Sequence, residues 1–383
     1  MRRSPGKVRR VVAGGVVLAV ALATLVLIAS SEWLASFGAL PSGARLERVR
    51  RSPNFRDGKF RNLVETHTMV PGSLWRTLRL QFTGDEERVP TTPIPIVTLQ
   101  GADVATPPAS GLRTTWLGHS TTLLEIDGQR VLLDPVWSER VSPSSLVGPK
   151  RFHPPPLALE ALPPLDVVIF SHDHYDHLDM STVRALATSA AQRGARFVTG
   201  LGVGAHLERW GVPIARITEL DWGESVTVGS LTVTATPGRH FTGRGLLRGD
   251  RALWATWVIA GPAHRAFFSG DTGFFEGFAD IGRDHGPFDL TLIKIGAYGP
   301  TWPDIHLTPE TAVRAHTLLR GRLLQPIHWS TFNLAYHAWY EPADRVLAAA
   351  REAGVDIVVP RPGEQVEPSA PPPVATWWRA DRR

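Results

Sequence analysis

The sequence predicts an α+β domain over residues 111–365, two β-sheets packed together with helices outside. Strand-like and helix-like segments are mixed over roughly 250 residues, a pattern that two stacked sheets with outer helices accommodate. The run "LDVVIF" (165–170) is apolar without interruption, as in a strand buried on both faces. Polar, metal-capable side chains end several apolar strands, so one rim of such a sandwich would gather them.

Along the chain, "MRRSPGKVRR" supplies five basic residues, and residues 11–30 follow without a charge. Roughly 20 apolar residues suffice to span a bilayer as a helix. The run is longer than the usual apolar core of a signal peptide, which favours an uncleaved anchor. The alternative is a cleaved signal peptide with "ASS" (29–31) as its site, and a secreted or periplasmic protein. Basic residues before the span and none over 31–44 place the body of the protein outside the cytoplasm; seven basic residues over 45–61 oppose that orientation. Those seven can lie against anionic headgroups or belong to a solvated linker. Residues 31–110 read as a linker and N-terminal extension.

"RTTWL" (113–117), "TTLLEI" (121–126) and "RVLLD" (130–134) form a meander with "DGQ" as its second turn. "STVRALATSAAQ" (181–192) has helical spacing with Ser181 as N-cap. "SVTVGSLTVTATP" (225–237) alternates as a hairpin turning at Gly229 and Ser230. "LWATWVIAG", "RAFFSGD" and "DLTLIKIGA" continue the strands. The helix "PETAVRAHTLL" (309–319) opens with Pro309 after Thr308, a cap followed by proline. "LLQPIHW" (323–329), the helix 343–354 and "DIVVP" (356–360) close the body. The Pro-rich tail, 366–383, reads as disordered from 368 onward.

Composition narrows the chemistry. With no cysteine, thiolate sites are impossible, and any metal must be held by His, Asp and Glu. The net charge is +5, but residues 1–61 carry twelve basic and three acidic residues, which leaves the remainder acidic by four. A polyanion groove on the body gains no support from charge, and nucleic acid is not expected as a partner.

"FSHDHYDHLD" (170–179) packs three histidines and three aspartates behind the buried strand. Desolvating even one such group without a partner costs several kcal/mol, so a concentrated positive charge must sit among them unless the loop is exposed. Imidazole and carboxylate donors suit zinc, and iron and manganese also accept them. His172 and His174, two apart in extended backbone, point the same way and can grip one ion. Asp176 and His177 are placed to hold a second. His240, Asp271 and His328 each end an apolar strand and are further candidates, which spacing alone leaves open. His67, His153, His206, His264, His285, His316 and His337 are assigned to packing or the surface.

"SHDHYDH" resembles the H-x-H-x-D-H signature of the metallo-β-lactamase superfamily, an αββα four-layer sandwich with metal at its rim. "LDPVWSERVSPSSLVGPKRF" (133–152), "ELDWGE" (219–224), "GDTGFFEGFADIGRDHGPFDL" (270–290), "KIGAYGP" (294–300) and "IHWSTFNL" (327–334) extend the likeness to the N-acyl-phosphatidylethanolamine-hydrolysing phospholipase D family and its bacterial relatives. The resemblance, over roughly 50–365, implies two zinc ions. His172, His174 and His240 would hold one, and Asp176, His177 and His328 the other, with Asp271 bridging. It also implies that Asp176 and Asp271 serve catalysis, and that His306 in "PDIHLTPE" stands near the metals and assists; otherwise His306 is a helix-start or surface residue. His119, in "WLGHSTTLL", would lie under the site. Gly270 and Gly273, flanking Asp271, allow close backbone approach. The N-terminal helix and the small loop residues Ser145 and Leu146 depart from the mammalian pattern, and both bear on lipid access.

The implied activity is zinc-dependent phosphodiester hydrolysis of an N-acyl-phosphatidylethanolamine-like phospholipid by metal-activated water. A metal-dependent lactonase is the enzymatic alternative. A catalytically silent metal-binding or sensor protein is the alternative from another class.

Overall fold

The computed structural model describes residues 31–245 and 249–379. A short hairpin, β1 (Phe55–Arg56) and β2 (Lys59–Phe60), precedes the body. The first sheet contains β3 (Leu112–Gly118), β4 (Thr121–Ile126), β5 (Gln129–Leu133), β6 (Val167–Phe170), β7 (Arg196–Gly200) and β8 (Ile217–Leu220), in that spatial order. The second runs β14 (Gly321–Ile327), β13 (Phe288–Lys294), β12 (Arg265–Phe268), β11 (Thr256–Ala260), β10 (Leu231–Thr236) and β9 (Ser225–Val228). β15 (Gln365–Val366) pairs with β3 and completes the first sheet.

Each sheet is antiparallel on one side and parallel on the other. The period-two alternation of side chains divides the first sheet between two cores. Leu124, Val131, Val167 and Ile169 join Val233, Ala235, Trp257 and Ile259 of the second sheet. Their sequence neighbours Leu123, Leu132, Val168 and Phe170 turn to the opposite face, where Val183, Leu186 and Leu207 cover them. This explains why "VVIF" shows no alternation of polarity: both faces are dry. Full burial of each such side chain is worth about 1.5–3 kcal/mol.

The helices lie outside. α1 (Gly43–Arg51) and α2 (Leu74–Phe82) belong to the N-terminal extension. α3 (Met180–Thr188) and α4 (Gly204–Arg209) contribute Val183, Leu186 and Leu207. α5 (Gly277–His285), α6 (Pro309–Leu318) and α7 (Glu341–Ala353) flank the second sheet, contributing Phe278, Ala312, Val313, Val346 and Ala350. The expected Thr308 cap is present, its hydroxyl accepting from the Thr311 amide. The α3 cap is Asp179 and not Ser181, because a carboxylate two residues earlier reaches the Ser181 amide at 3.1 Å.

Other expectations are corrected. The anchor expected over 11–30 lies outside the described residues, and no described helix is long and apolar enough to cross a membrane. The localisation built on that anchor, with the catalytic domain held outside the cytoplasm, is therefore withdrawn, together with the membrane as a partner through it. Residues 45–61 are not a wholly solvated linker, and two of their seven basic residues are tied to the body. Arg45 pairs with Glu219 at 2.5 Å and Glu208 at 2.6 Å, and Arg48 pairs with Glu224. Val49 and Phe60 are buried against Leu201, Leu253 and Trp254. The tail is ordered through 379: Trp377 and Trp378 are buried, their ring centroids 5.2 and 5.5 Å from Trp329.

Candidate metal centre

Five strands deliver the site at their C-terminal ends. β6 runs into Ser171 and the cluster His172–His177; β10 leads to His240, β12 to Asp271, β14 to His328 and β3 to His119. The polar ends of apolar strands therefore meet on one rim. Asp179 does not join them, since its carboxylate accepts from Ser181, Thr182, Trp137 and Ser138.

Two groups of donors form. His172 Nε2 and His240 Nε2 lie 2.8 and 3.3 Å from His174 Nδ1. Beside them, Asp176 Oδ2 lies 3.4 Å from His177 Nε2 and 3.3 Å from His328 Nε2. Asp271 stands between the groups: Oδ1 is 3.0 Å from His328 Nε2, while Oδ2 is 3.4 Å from His177 Nε2 and 3.9 Å from His240 Nε2. His306 Nε2 approaches the same Oδ2 at 3.9 Å. His119 Nε2 lies 3.0 Å from Asp176 Oδ2, beneath the site as the family likeness implied.

Surrounding groups fix which nitrogen faces the centre. His177 Nδ1 donates to Asp134 Oδ2 at 2.6 Å, and Asp134 also accepts from the Ser171 amide and hydroxyl at 2.7 and 2.6 Å. His240 Nδ1 donates to the Ile305 carbonyl at 2.9 Å. Such partners orient imidazole ligands and leave Nε2 free for a metal. His328 sits at φ +62°, its amide donating to the His119 carbonyl, which turns its ring into the rim.

Burial pushes His240 and His119 down to about 3 and holds His172 well below the usual imidazole range, so these rings keep free lone pairs at neutral pH. For His177, burial alone lowers the value, but the carboxylates of Asp271, Asp176 and Asp134 outweigh it and raise it. For Asp271, burial alone raises the value, but His328, His177 and His306 hold it well below the usual carboxylate range.

The donor set fits a cation. His177 Nε2, His328 Nε2 and Asp271 Oδ1 are buried and make no hydrogen bond despite their close neighbours. Polar atoms crowded together without hydrogen-bond geometry are costly unless something satisfies them. Imidazole nitrogens and ionised carboxylates, without sulfur, suit a hard or borderline divalent ion. The His172–His174–His240 group and the Asp176–His177–His328 group, with His119, are each able to hold one.

Two neighbours escaped sequence reading. Asp134 ends the apolar strand "RVLLD", the same signal that marked Asp271. Lys294 lies fully buried in β13, its Nζ 2.6 Å from His306 Nδ1. Burial pushes its ammonium down to about 7 against the opposing charges of Asp271 and Asp176. A lone cation inside "LTLIKIGA" was its sequence trace. Of the histidines assigned to packing, His206 contacts Asp173, His264 pairs with Asp127, His316 with Thr291, and His337 accepts from the Ala297 amide.

Gly273 shows why the loop after β12 needs glycine. A Cβ there would stand 1.8 Å from the Asp304 carbonyl oxygen, in the segment that carries Ile305 and His306. Gly273→Ala should destabilise the fold by about 1–3 kcal/mol, the usual cost of overpacking, read as a lower denaturant midpoint. An unchanged midpoint would show that the 304–306 segment yields freely.

A two-sheet sandwich that gathers His and Asp clusters at one rim is a metallo-β-lactamase fold. Residues 129–329 match the beta-lactamase superfamily domain, and the chain belongs to that family of metal-dependent hydrolases. It resembles the N-acyl-phosphatidylethanolamine-hydrolyzing phospholipase D 1 of Caenorhabditis elegans, 41% identical over 63% of this chain and 71% of that one. An uncharacterised protein of Mycobacterium tuberculosis is 51% identical over 86% of this chain and 88% of its own. Among solved structures, an isothiocyanate hydrolase from Delia radicum gut bacteria superposes with a TM-score of 0.53 at 20% identity, covering 67% of this chain and 98% of that one. That likeness is one of fold.

Proposed function

We propose that this chain is a dinuclear, zinc-dependent phosphodiesterase of the phospholipase D type, acting on N-acyl-phosphatidylethanolamine-like lipids. The observation that carries the reading is the position of Asp271, whose two oxygens reach toward both donor groups. The 41% identity to the nematode phospholipase supports the substrate class. His172, His174 and His240 would hold one ion, and Asp176, His177 and His328 the other, with Asp271 shared. Bound there, the ions would supply an acidic water near neutral pH and neutralise phosphate charge.

The residues of the chain do the rest. Asp134 and Ile305 hold His177 and His240 in the tautomer whose Nε2 faces the centre. His119 donates to Asp176 and keeps that carboxylate oriented. Asp176 and Asp271, both held ionised, accept from the attacking water and align it. Hydrolysis forms a bond from water oxygen to phosphorus and breaks the bond from phosphorus to the ethanolamine oxygen. The proton lost by water balances the one gained by the leaving alkoxide, and His306 stands where it can give that proton. The products are phosphatidate and an N-acylethanolamine.

Hydrolysis in ¹⁸O-labelled water tests the chemistry. Attack at phosphorus places the label on phosphatidate. Label on a released fatty acid instead would mean acyl-ester cleavage. If phospholipids stay untouched while a lactone opens rapidly, the substrate assignment fails although the metal centre stands.

A further inference from the structure

Lys294 occupies a position where its strand would ordinarily carry an aliphatic residue. It is one of four lysines in the chain, fully buried, with Ile293 and Ile295 on either side. Burying an ammonium is costly unless something specific answers it. Among the described residues it makes no salt bridge, and the Asp271 and Asp176 carboxylates act on it only from a distance. Its Nζ instead donates to the Gly296 carbonyl at 2.7 Å and lies 2.6 Å from His306 Nδ1.

We infer that Lys294 is a positioning residue: it donates to His306 Nδ1 and thereby fixes His306 as an Nε2–H donor facing the centre, outside the metal ligand set. This deepens the proposed function and rests on it for the role of His306 at the leaving oxygen.

The contrast within the site carries the argument. His177 and His240 each have an acceptor on Nδ1, the Asp134 carboxylate and the Ile305 carbonyl, so Nδ1 bears the hydrogen and Nε2 offers its lone pair inward. His306 is wired in the opposite sense. A lysine Nζ presents N–H groups, and here one answers the Gly296 carbonyl while another meets Nδ1. An Nδ1 that accepts leaves the hydrogen of the neutral ring on Nε2, which lies 3.9 Å from Asp271 Oδ2. A protonated Nε2 has no lone pair for a metal, but it can pass its hydrogen to a developing alkoxide while Nδ1 takes one from the Lys294 ammonium, so the ring stays neutral. The same rim thus holds two kinds of histidine: His177 and His240, each backed by an acceptor, and His306, backed by a donor.

The test combines a spectroscopic readout with kinetics on the zinc-loaded full chain. Nitrogen NMR of ¹⁵N-histidine-labelled protein, with His306 assigned by its loss in His306→Gln, should show Nδ1 unprotonated and Nε2 protonated. Lys294→Met, which keeps the apolar stem and removes the donor, should mix the tautomers of His306. It should also lower kcat on N-acyl-phosphatidylethanolamine roughly 10- to 100-fold, the usual range for a residue orienting a metal-site group. KM should stay within about twofold and metal content should be unchanged, since neither depends on which His306 nitrogen is protonated. An Nδ1–H tautomer in the wild type overturns the inference, even if the variant fails to fold. So does a Lys294→Met protein that loses metal, or one that keeps the wild-type tautomer and kcat. The tautomer is read without substrate, so a wild-type protein that leaves N-acyl-phosphatidylethanolamine intact sinks the proposed function and not this wiring.

Discussion

Asp271→Ala should strip the centre of metal and leave almost no hydrolysis. Its two oxygens reach the His328 and His177 nitrogens at 3.0 and 3.4 Å and also approach His240, so its loss affects both donor groups. A metal ion contributes several kcal/mol of transition-state charge stabilisation, and each 1.36 kcal/mol is tenfold in rate, so a fall of roughly 10³-fold or more is expected. His174→Ala should behave differently. Among the candidate donor groups His174 falls with His172 and His240, and its removal should empty mainly one position. Metal analysis of both variants beside the wild type checks the pair. If Asp271→Ala kept one full equivalent while His174→Ala lost both, the shared position would belong elsewhere in the cluster.

Trp378→Ala should destabilise the protein by about 3–5 kcal/mol, the cost of emptying a buried tryptophan site. The ring is 2% exposed, its Nε1 donates to Asp344 at 2.8 Å, and it meets Trp329 edge-on. Trp329 directly follows His328 and stacks 5.7 Å from Trp116, so the tail buttresses the strand end that carries a candidate ligand. Urea unfolding measures the loss. A change under about 0.5 kcal/mol, the range of an exposed substitution, would mean the tail is not docked.

The tail shows where sequence reading stops. Its prolines read as an extended, unpacked segment, and nothing local says that two adjacent tryptophans have a third waiting nearly fifty residues earlier. The same holds for Arg45 and Arg48, two of the seven basic residues over 45–61. Charge pattern made them a candidate lipid-facing stripe, whereas Glu208, Glu219 and Glu224, far along the chain, claim Arg45 and Arg48. What proved legible was local or periodic. Uninterrupted "VVIF" marked a strand dry on both faces, and polar residues ending apolar runs marked the rim on which His172, His240, Asp271 and His328 meet. Asp134 ends "RVLLD" and obeyed that rule too, but it was read only as the end of a meander strand. Lys294 was harder to find, since a lone lysine in a strand has meaning only once His306 is known to lie against it. The N-cap of α3 was placed at Ser181, a common cap residue, whereas the Asp179 carboxylate two residues earlier takes up the amides and hydroxyls around the helix start.

The most direct measurement is a zinc titration of chelator-stripped full chain, followed by release of N-acylethanolamine from N-acyl-phosphatidylethanolamine. The dinuclear account predicts no turnover without metal and full activity only at two equivalents per chain. Activity that persists after complete stripping, or that is already complete at one equivalent, would contradict it.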